Sequence, residues 1–149
     1  MKKTILILFL FCFAYSNSEG NDILALQKIQ MSHIQANLPD TFEEFQIILK
    51  RDLNLYFSKL YQKQVKIKHH FLRKAPTQSG VSYPKFYLWI EVLSDNNMID
   101  SGAIRIAGIN KTTIRVTDFV KKEQLNKTPE ILKNIFPKAL NDKILEFAN

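Results

Sequence analysis

DTFEEFQIILKRDLNLYFSKLYQKQVKIKHHF, residues Asp40 to Phe71, contains a change of hydrophobic period, and that change decides the fold. Phe42, Phe45, Leu49, Tyr56 and Leu60 recur at helical spacing, and Ile48, Leu53 and Phe57 widen the same face. No Gly or Pro interrupts the run through Gln64, so the pattern predicts one helix of about 22 residues. Asp40 is placed to cap its free amides, with Glu43 at the third position of a capping box and acids at the positive end of the dipole. At Val65 the period drops to two. Val65, Ile67, His69 and Phe71 alternate with Lys66, Lys68 and His70, which reads as a half-buried strand with a basic outer face.

Downstream, Arg73 to Lys85 (RKAPTQSGVSYPK) contains two prolines and a glycine and has no periodicity, so it reads as a long connection. Phe86 to Leu93 (FYLWIEVL) is apolar on both faces except at Glu91, as expected of a central strand. Asp95-Asn96-Asn97 is turn chemistry. Ser101 to Val120 reads as a hairpin whose core face carries Ile104, Ile106 and Gly108 with Ile114, Val116 and Asp118. That register asks for the odd loop Asn110-Lys111-Thr112, with Ile109 opposite Thr113, and it puts Arg105 and Arg115 together on the other face. A two-residue Asn110-Lys111 turn would mix the faces and is rejected. Asp118 is then expected to end the strand and cap a short segment, Phe119 to Leu125.

Thr128-Pro129-Glu130 opens a helix through Phe136, and Pro137 breaks it and starts another through Phe147. Upstream, residues 22–37 place Ile23, Leu26, Ile29 or Gln30, His33 and Ile34 at helical spacing, ended by Asn37 and Pro39. The expected fold class is α+β: a long N-terminal helix packed on a four-stranded antiparallel meander, with short C-terminal helices. No repeat or linker divides residues 19–149, so one domain is expected. A long helix leading into an antiparallel meander resembles the cystatin-like and NTF2-like topologies, over roughly residues 40–120. The likeness is one of element order. The cystatin Gln-x-Val-x-Gly loop is absent, since Gln62-Lys63-Gln64-Val65 lacks the glycine, and no functional residue carries over.

The chain begins Met1-Lys2-Lys3, continues as the apolar run Ile5 to Tyr15, and then turns polar at Ser16-Asn17-Ser18-Glu19-Gly20. This order is that of a signal peptide over residues 1–18, cut after Ser16 or Ser18. The run falls well short of the roughly 20 residues a membrane span needs. Cys12, the only cysteine, follows Phe11, which is too bulky for a lipoprotein site, so ordinary cleavage is expected to remove it. The exported chain would then have no disulfide, no catalytic thiol and no Cys-ligated metal. Its expected place is the periplasm or the extracellular space.

Charge is unevenly spread. The formal net charge is +7, from 21 Lys/Arg and 14 Asp/Glu. Between Asp52 and Glu91 there is no acid, while Lys59, Lys63, Lys66, Lys68, Arg73, Lys74 and Lys85 fall there, so charges elsewhere cancel. Segregation of this kind points to an anionic partner.

Catalytic chemistry is hard to find. His33, His69 and His70 are the only histidines, and neighbours on a strand point to opposite faces, so no metal site is expected. No Gly-x-Ser-x-Gly elbow, P-loop or dinucleotide fingerprint occurs, and no cofactor is expected. Tyr83, Phe86, Tyr87 and Trp89 beside the basic stretch fit single-stranded nucleic acid, but export argues against that partner. The sequence therefore points to an exported, non-enzymatic binding protein whose basic hairpin engages an acidic protein or an anionic envelope surface, as an inhibitor or immunity protein would. Lys66, Lys68, Arg73, Lys74 and Lys85 are the expected contacts, with Arg105 and Arg115 as a second pair on the sheet face. The alternative is a small-ligand carrier or minor enzyme with a pocket between the long helix and the curved sheet, served by His69, Tyr87, Glu91 or Asp118.

Overall fold

The computed structural model describes residues 37–78 and 82–149. The leader, residues 22–36 of the expected helix over 22–37 and the middle of the 73–85 connection lie outside the described residues. Helix α1 (Phe42–Tyr61) is followed by strands β1 (Lys66–Phe71), β2 (Lys85–Ser94), β3 (Asn97–Asn110) and β4 (Thr113–Lys121). Three short helices close the chain: α2 (Lys122–Lys127), α3 (Leu132–Ile135) and α4 (Asn141–Ala148). The strands pair in sequence order, β1-β2-β3-β4, and every pairing is antiparallel. This is the α+β meander that the sequence predicts.

The cap of α1 lies one residue later than expected. Thr41, not Asp40, accepts from the Glu44 amide at 3.2 Å, and the Thr41 amide in turn donates to the Glu44 carboxylate. The buried stripe also differs. Phe45, Leu49, Leu53 and Phe57 form one row of residues four apart, all buried, while Phe42 and Leu60 are 70% and 48% exposed.

Polar neighbours of that row explain the rotation. Gln46, Asn54 and Ser58 each follow a buried residue and so share one flank of the helix. Asn54 accepts from the Ile67 amide at 2.9 Å, Ser58 from the Val65 amide at 3.1 Å, and Gln46 meets His69 Nε2 at 3.1 Å. On the other flank Asp52 accepts from the Ile114 amide at 2.8 Å, and Arg51 donates to the Thr112 carbonyl at 2.6 Å. The helix thus lies over the sheet and satisfies amides on both edge strands.

β2 is central and buried on both faces, as its composition predicts. Phe86, Leu88, Ile90 and Val92 join the α1 row, with Ile67, Ile104, Ile106 and Ile114. Tyr87 and Trp89 face the other way, onto Leu125, Leu132, Phe136, Leu140 and Ile144 of the C-terminal helices. Asp95 and Asn96 take the left-handed conformation (φ 51° and 65°), giving the two-residue turn that suits a hairpin.

The β3–β4 hairpin reaches the expected face pattern by another route. Asn110 pairs with Thr113, so the loop is Lys111-Thr112, and the Asn110 side chain accepts from the Thr112 amide at 2.9 Å. A register slip at Ile109 then restores Gly108 opposite Ile114 and Ile106 opposite Val116. A second slip, at Thr117, reverses parity beyond it. Asp118 therefore pairs with Arg105 on the outer face, and Phe119 turns inward against Phe57, ring centroids 5.0 Å apart. The expectation that Asp118 ends the strand and caps a helix is corrected: β4 continues to Lys121, whose amide bonds the Gln124 side chain. Beyond it, Thr128 makes no side-chain cap, and each expected C-terminal helix is a 3₁₀ turn followed by a short α-helix.

β4 passes close to Gly102. A Cβ there would lie 2.2 Å from the Val120 carbonyl oxygen and 2.9 Å from the Lys121 Cα, contacts that backbone cannot relieve cheaply. Gly102→Ala is expected to cost about 1–3 kcal/mol, read by urea denaturation. A loss below the measurement error would mean that β4 does not pack this closely.

Candidate functional site

The expected basic contacts do not form one cluster. β1 is an edge strand, and Lys66 and Lys68 stand exposed on its face away from α1, because Val65 and Ile67 take the inner side. Their partners across the ladder are Leu93 and Glu91. Arg73 and Lys74 are exposed just after β1. Lys85, half-buried at the start of β2, faces Ala107, which in turn faces Arg115 on β4. Lys85 and Glu91 are separated by roughly 20 Å along β2, at about 3.3 Å per residue. So Lys66 and Lys68 occupy one end of the outer face and Lys85 and Arg115 the other. Arg73 and Lys74 lie on the path between, before the Thr77–Lys85 bridge.

Arg105 has a different environment. Its guanidinium holds Asp118 through Nη2 at 2.6 Å and Nε at 2.7 Å, and Nη1 donates to the Ile135 carbonyl at 3.0 Å. All three bonds are internal, and the one to Ile135 ties the sheet to α3. Arg115 is exposed. The ion pairs of the described residues are Arg51–Asp52, Arg105–Asp118, Lys111–Asp40, Lys121–Asp100 and Lys127–Glu123. None involves Lys66, Lys68, Arg73, Lys74, Lys85 or Arg115.

An apolar groove of about 520 Å³ opens at the N-terminal end of α1. Phe42 and Phe45 of α1, Phe71 of β1 and Phe86 of β2 line it with Leu38, Pro39 and Pro76, and Asp40, Thr41 and Lys74 complete the lining. The Phe45 and Phe86 rings are 4.7 Å apart at its base. None of His69, Tyr87, Glu91 and Asp118, the polar groups expected to serve a pocket, lines this one. Beneath the middle of α1 the core is solid, with Leu49, Leu53 and Phe57 at most 1% exposed. Sequence periodicity gave no sign of the groove, because its walls come from three separate elements.

Among the described residues no group of three His, Cys, Asp or Glu side chains is placed to hold a metal ion. The most tightly linked titratable set joins Tyr61 at the end of α1 to Asp100 on β3 and Lys121 on β4. Tyr61 donates to Asp100, and Lys121 Nζ lies 2.8 Å from the same carboxylate and 5.3 Å from the Tyr61 ring centre. Burial and the hydrogen bond to Asp100 push the Tyr61 hydroxyl up to about 12. Burial alone would raise Asp100, but bonds from Lys121, Tyr61 and the Ser101 amide outweigh it and hold the carboxyl below its usual range. A tyrosine held protonated beside a paired lysine is a clasp, not a catalytic base. His69 is lowered, first by burial and then by His70 beside it.

No protein-family model, curated protein or solved structure matches this chain. The resemblance to cystatin-like and NTF2-like topologies thus stays at element order, and function must be argued from surfaces. Among the described residues no helix is long and apolar enough to cross a membrane.

Two of these shifts, at His69 and Tyr61, give stability a pH window. The folded His69 value lies below the unfolded one, so the unfolded chain binds more protons and stability falls as pH drops through about 6.5. The folded Tyr61 value lies above, so its contribution is complete below pH 10 and is lost as pH rises toward about 12. Denaturation between pH 5 and 12 is expected to show both flanks. His69→Gln should flatten the acid flank, and Tyr61→Phe should reduce the alkaline flank, to which Lys121, raised by its bond to Asp100, also contributes. The Tyr61 change should cost about 1 kcal/mol at neutral pH. Flanks left unchanged by these variants would assign the titration to other groups.

Proposed function

We propose that this is an exported, non-enzymatic binding protein that engages an acidic protein through the basic surface running along β1 and the turn after it. The observation that carries the reading is the set Lys66, Lys68, Arg73 and Lys74: all exposed, and none in an ion pair with a described residue. Lys85 and Arg115 extend the surface at the far end of the sheet, while Arg105 serves the fold. The leader-like pattern of the first 18 residues supports export, and with it a partner outside the cytosol.

The edge of β1 supports recognition by side chains. An unsealed edge strand invites pairing with another strand. Here the Val65 and Ile67 amides already bond Ser58 and Asn54. That leaves the lysines facing outward as the readable feature. Charges so placed raise the rate of encounter and discriminate between partners more than they add affinity.

Capture of acidic proteins from an envelope extract by the immobilised protein tests the reading. Binding is expected to weaken as salt rises, and Lys66→Glu, Lys68→Glu and Arg73→Glu together should reduce it by about tenfold or more. A second variant, Lys133→Glu with Lys138→Glu and Lys127→Glu, makes the same change in net charge on the exposed C-terminal helices and should reduce capture far less. Equal losses from the two variants would reduce the effect to net charge, and unchanged capture by the first would sink the proposal.

A further inference from the structure

The groove at the N-terminal end of α1 is lined mainly by apolar side chains, and Phe42 in its lining is 70% exposed. Aromatic surface of this extent is rarely left to water without a role. The chain itself leads to it. Leu38 packs into the space left by Gly108, where a Cβ would come within 2.6 Å of the leucine side chain, and the Asn37 carbonyl lies 3.4 Å from the same point. The Gly108 amide in turn donates to the Pro84 carbonyl at 2.9 Å. Residues 37 and 38 are therefore anchored at the groove wall, and whatever precedes them starts there.

What precedes them is the amphipathic pattern of residues 22–36, with Ile23, Leu26, Ile29 and Ile34 at helical spacing. A helix of about 15 residues is marginal in water by itself and needs a surface to pack on. At 1.5 Å per residue it would run about 22 Å, shorter than α1 and long enough to cross the groove. Asp22 and Lys28 are the segment's only Asp, Glu, Lys or Arg residues, so little charge opposes burial.

We propose that residues 22–36 of this same chain dock as a helix in the groove, laying their apolar stripe on Phe42, Phe45, Phe71 and Phe86. A tethered occupant has an advantage over any diffusible one, because the tether keeps it at a high effective concentration beside the site. A separate apolar ligand would need to displace it, and a second copy of the chain would need to outcompete it. The proposal does not depend on the identity of the acidic partner.

Hydrogen exchange on the full chain as expressed, with Phe42→Asp and Ile29→Asp as variants, tests it. In the unmodified protein the amides of residues 24–34 are expected to exchange at least about tenfold more slowly than an unstructured peptide, independently of protein concentration. Each variant should abolish that protection and raise anilinonaphthalene sulfonate fluorescence, while the amides of Leu88 to Val92 in β2 stay as slow as before. Retained β2 protection shows that loss elsewhere is not unfolding. Amides of 24–34 that exchange freely in the unmodified protein would overturn the proposal, as would protection that survives both variants. Protection that appears only at high concentration would assign the groove to a second copy. Binding of dodecanoate in the groove without loss of protection at 24–34 would assign it to a diffusible ligand.

Discussion

The structure depends on one helix sealing a sheet along a narrow seam. Phe45, Leu49, Leu53 and Phe57 bury themselves against the inner face of the strands, at roughly 1.5–3 kcal/mol for each large apolar side chain. The polar residues beside that row add hydrogen bonds worth only about 1 kcal/mol each. Burial therefore holds the helix down, and the polar flanks fix where it sits. Asn54 and Ser58 reach the amides at β1, and Asp52 reaches the amide on β4. Four strands laid flat would span about 14 Å between their outer members, wider than a helix of 10–12 Å. Contact with both edges requires a sheet that curls toward the helix. The register slips at Thr117, at Ile109 and between Val92 and Leu93 supply local bends of the right kind.

That seam separates what the sequence makes legible from what it hides. The long helix, the four strands, their order and the buried character of β2 all follow from period and composition. The rotation of the helix does not. Phe42, Tyr56 and Leu60 are as apolar as the residues that win, and the choice is made by Asn54, Ser58 and Asp52 finding amides on distant strands. Asp118 was misplaced for a related reason. Alternation counts every residue, but Thr117 stands out of register and hydrogen-bonds the Arg105 carbonyl through its own hydroxyl, so parity changes beyond it. At Asn110 the alternation predicts the faces but not the loop, since a two-residue turn with a slip equals a three-residue turn without one.

The candidate site divides along the same line. Excess charge in residues 53–90 is plain from the sequence, because it is a property of composition. Its arrangement is not, because Lys66 and Lys85 are brought to opposite ends of one face by antiparallel pairing. Arg105 looked like a second contact, and pairing across the slip gives it Asp118 instead. The groove was out of reach altogether. Phe42, Phe71 and Phe86 read as ordinary core residues of three elements, and only the relative placement of those elements leaves them lining an open concavity.

Apolar and charged surfaces stand in different relations to the fold. The hydrophobic layers above and below the sheet account for its stability, and surface ion pairs add about 0–1 kcal/mol each. Leaving Lys66, Lys68, Arg73 and Lys74 without an ion pair to a described residue therefore sacrifices almost nothing in stability. A region with no stability reason to be paired or unpaired is free to follow a binding requirement, and its charge acts over roughly a Debye length of 8–10 Å. The groove obeys the opposite logic, since exposed phenylalanine is unfavourable until something covers it. Lys74 belongs to both surfaces, in the lining of one and in the row of the other. A helix laid across the phenylalanines would remove the apolar surface from competition and leave the cations as the dominant feature of that flank. Partner choice there would then be governed by charge, not by nonspecific apolar contact.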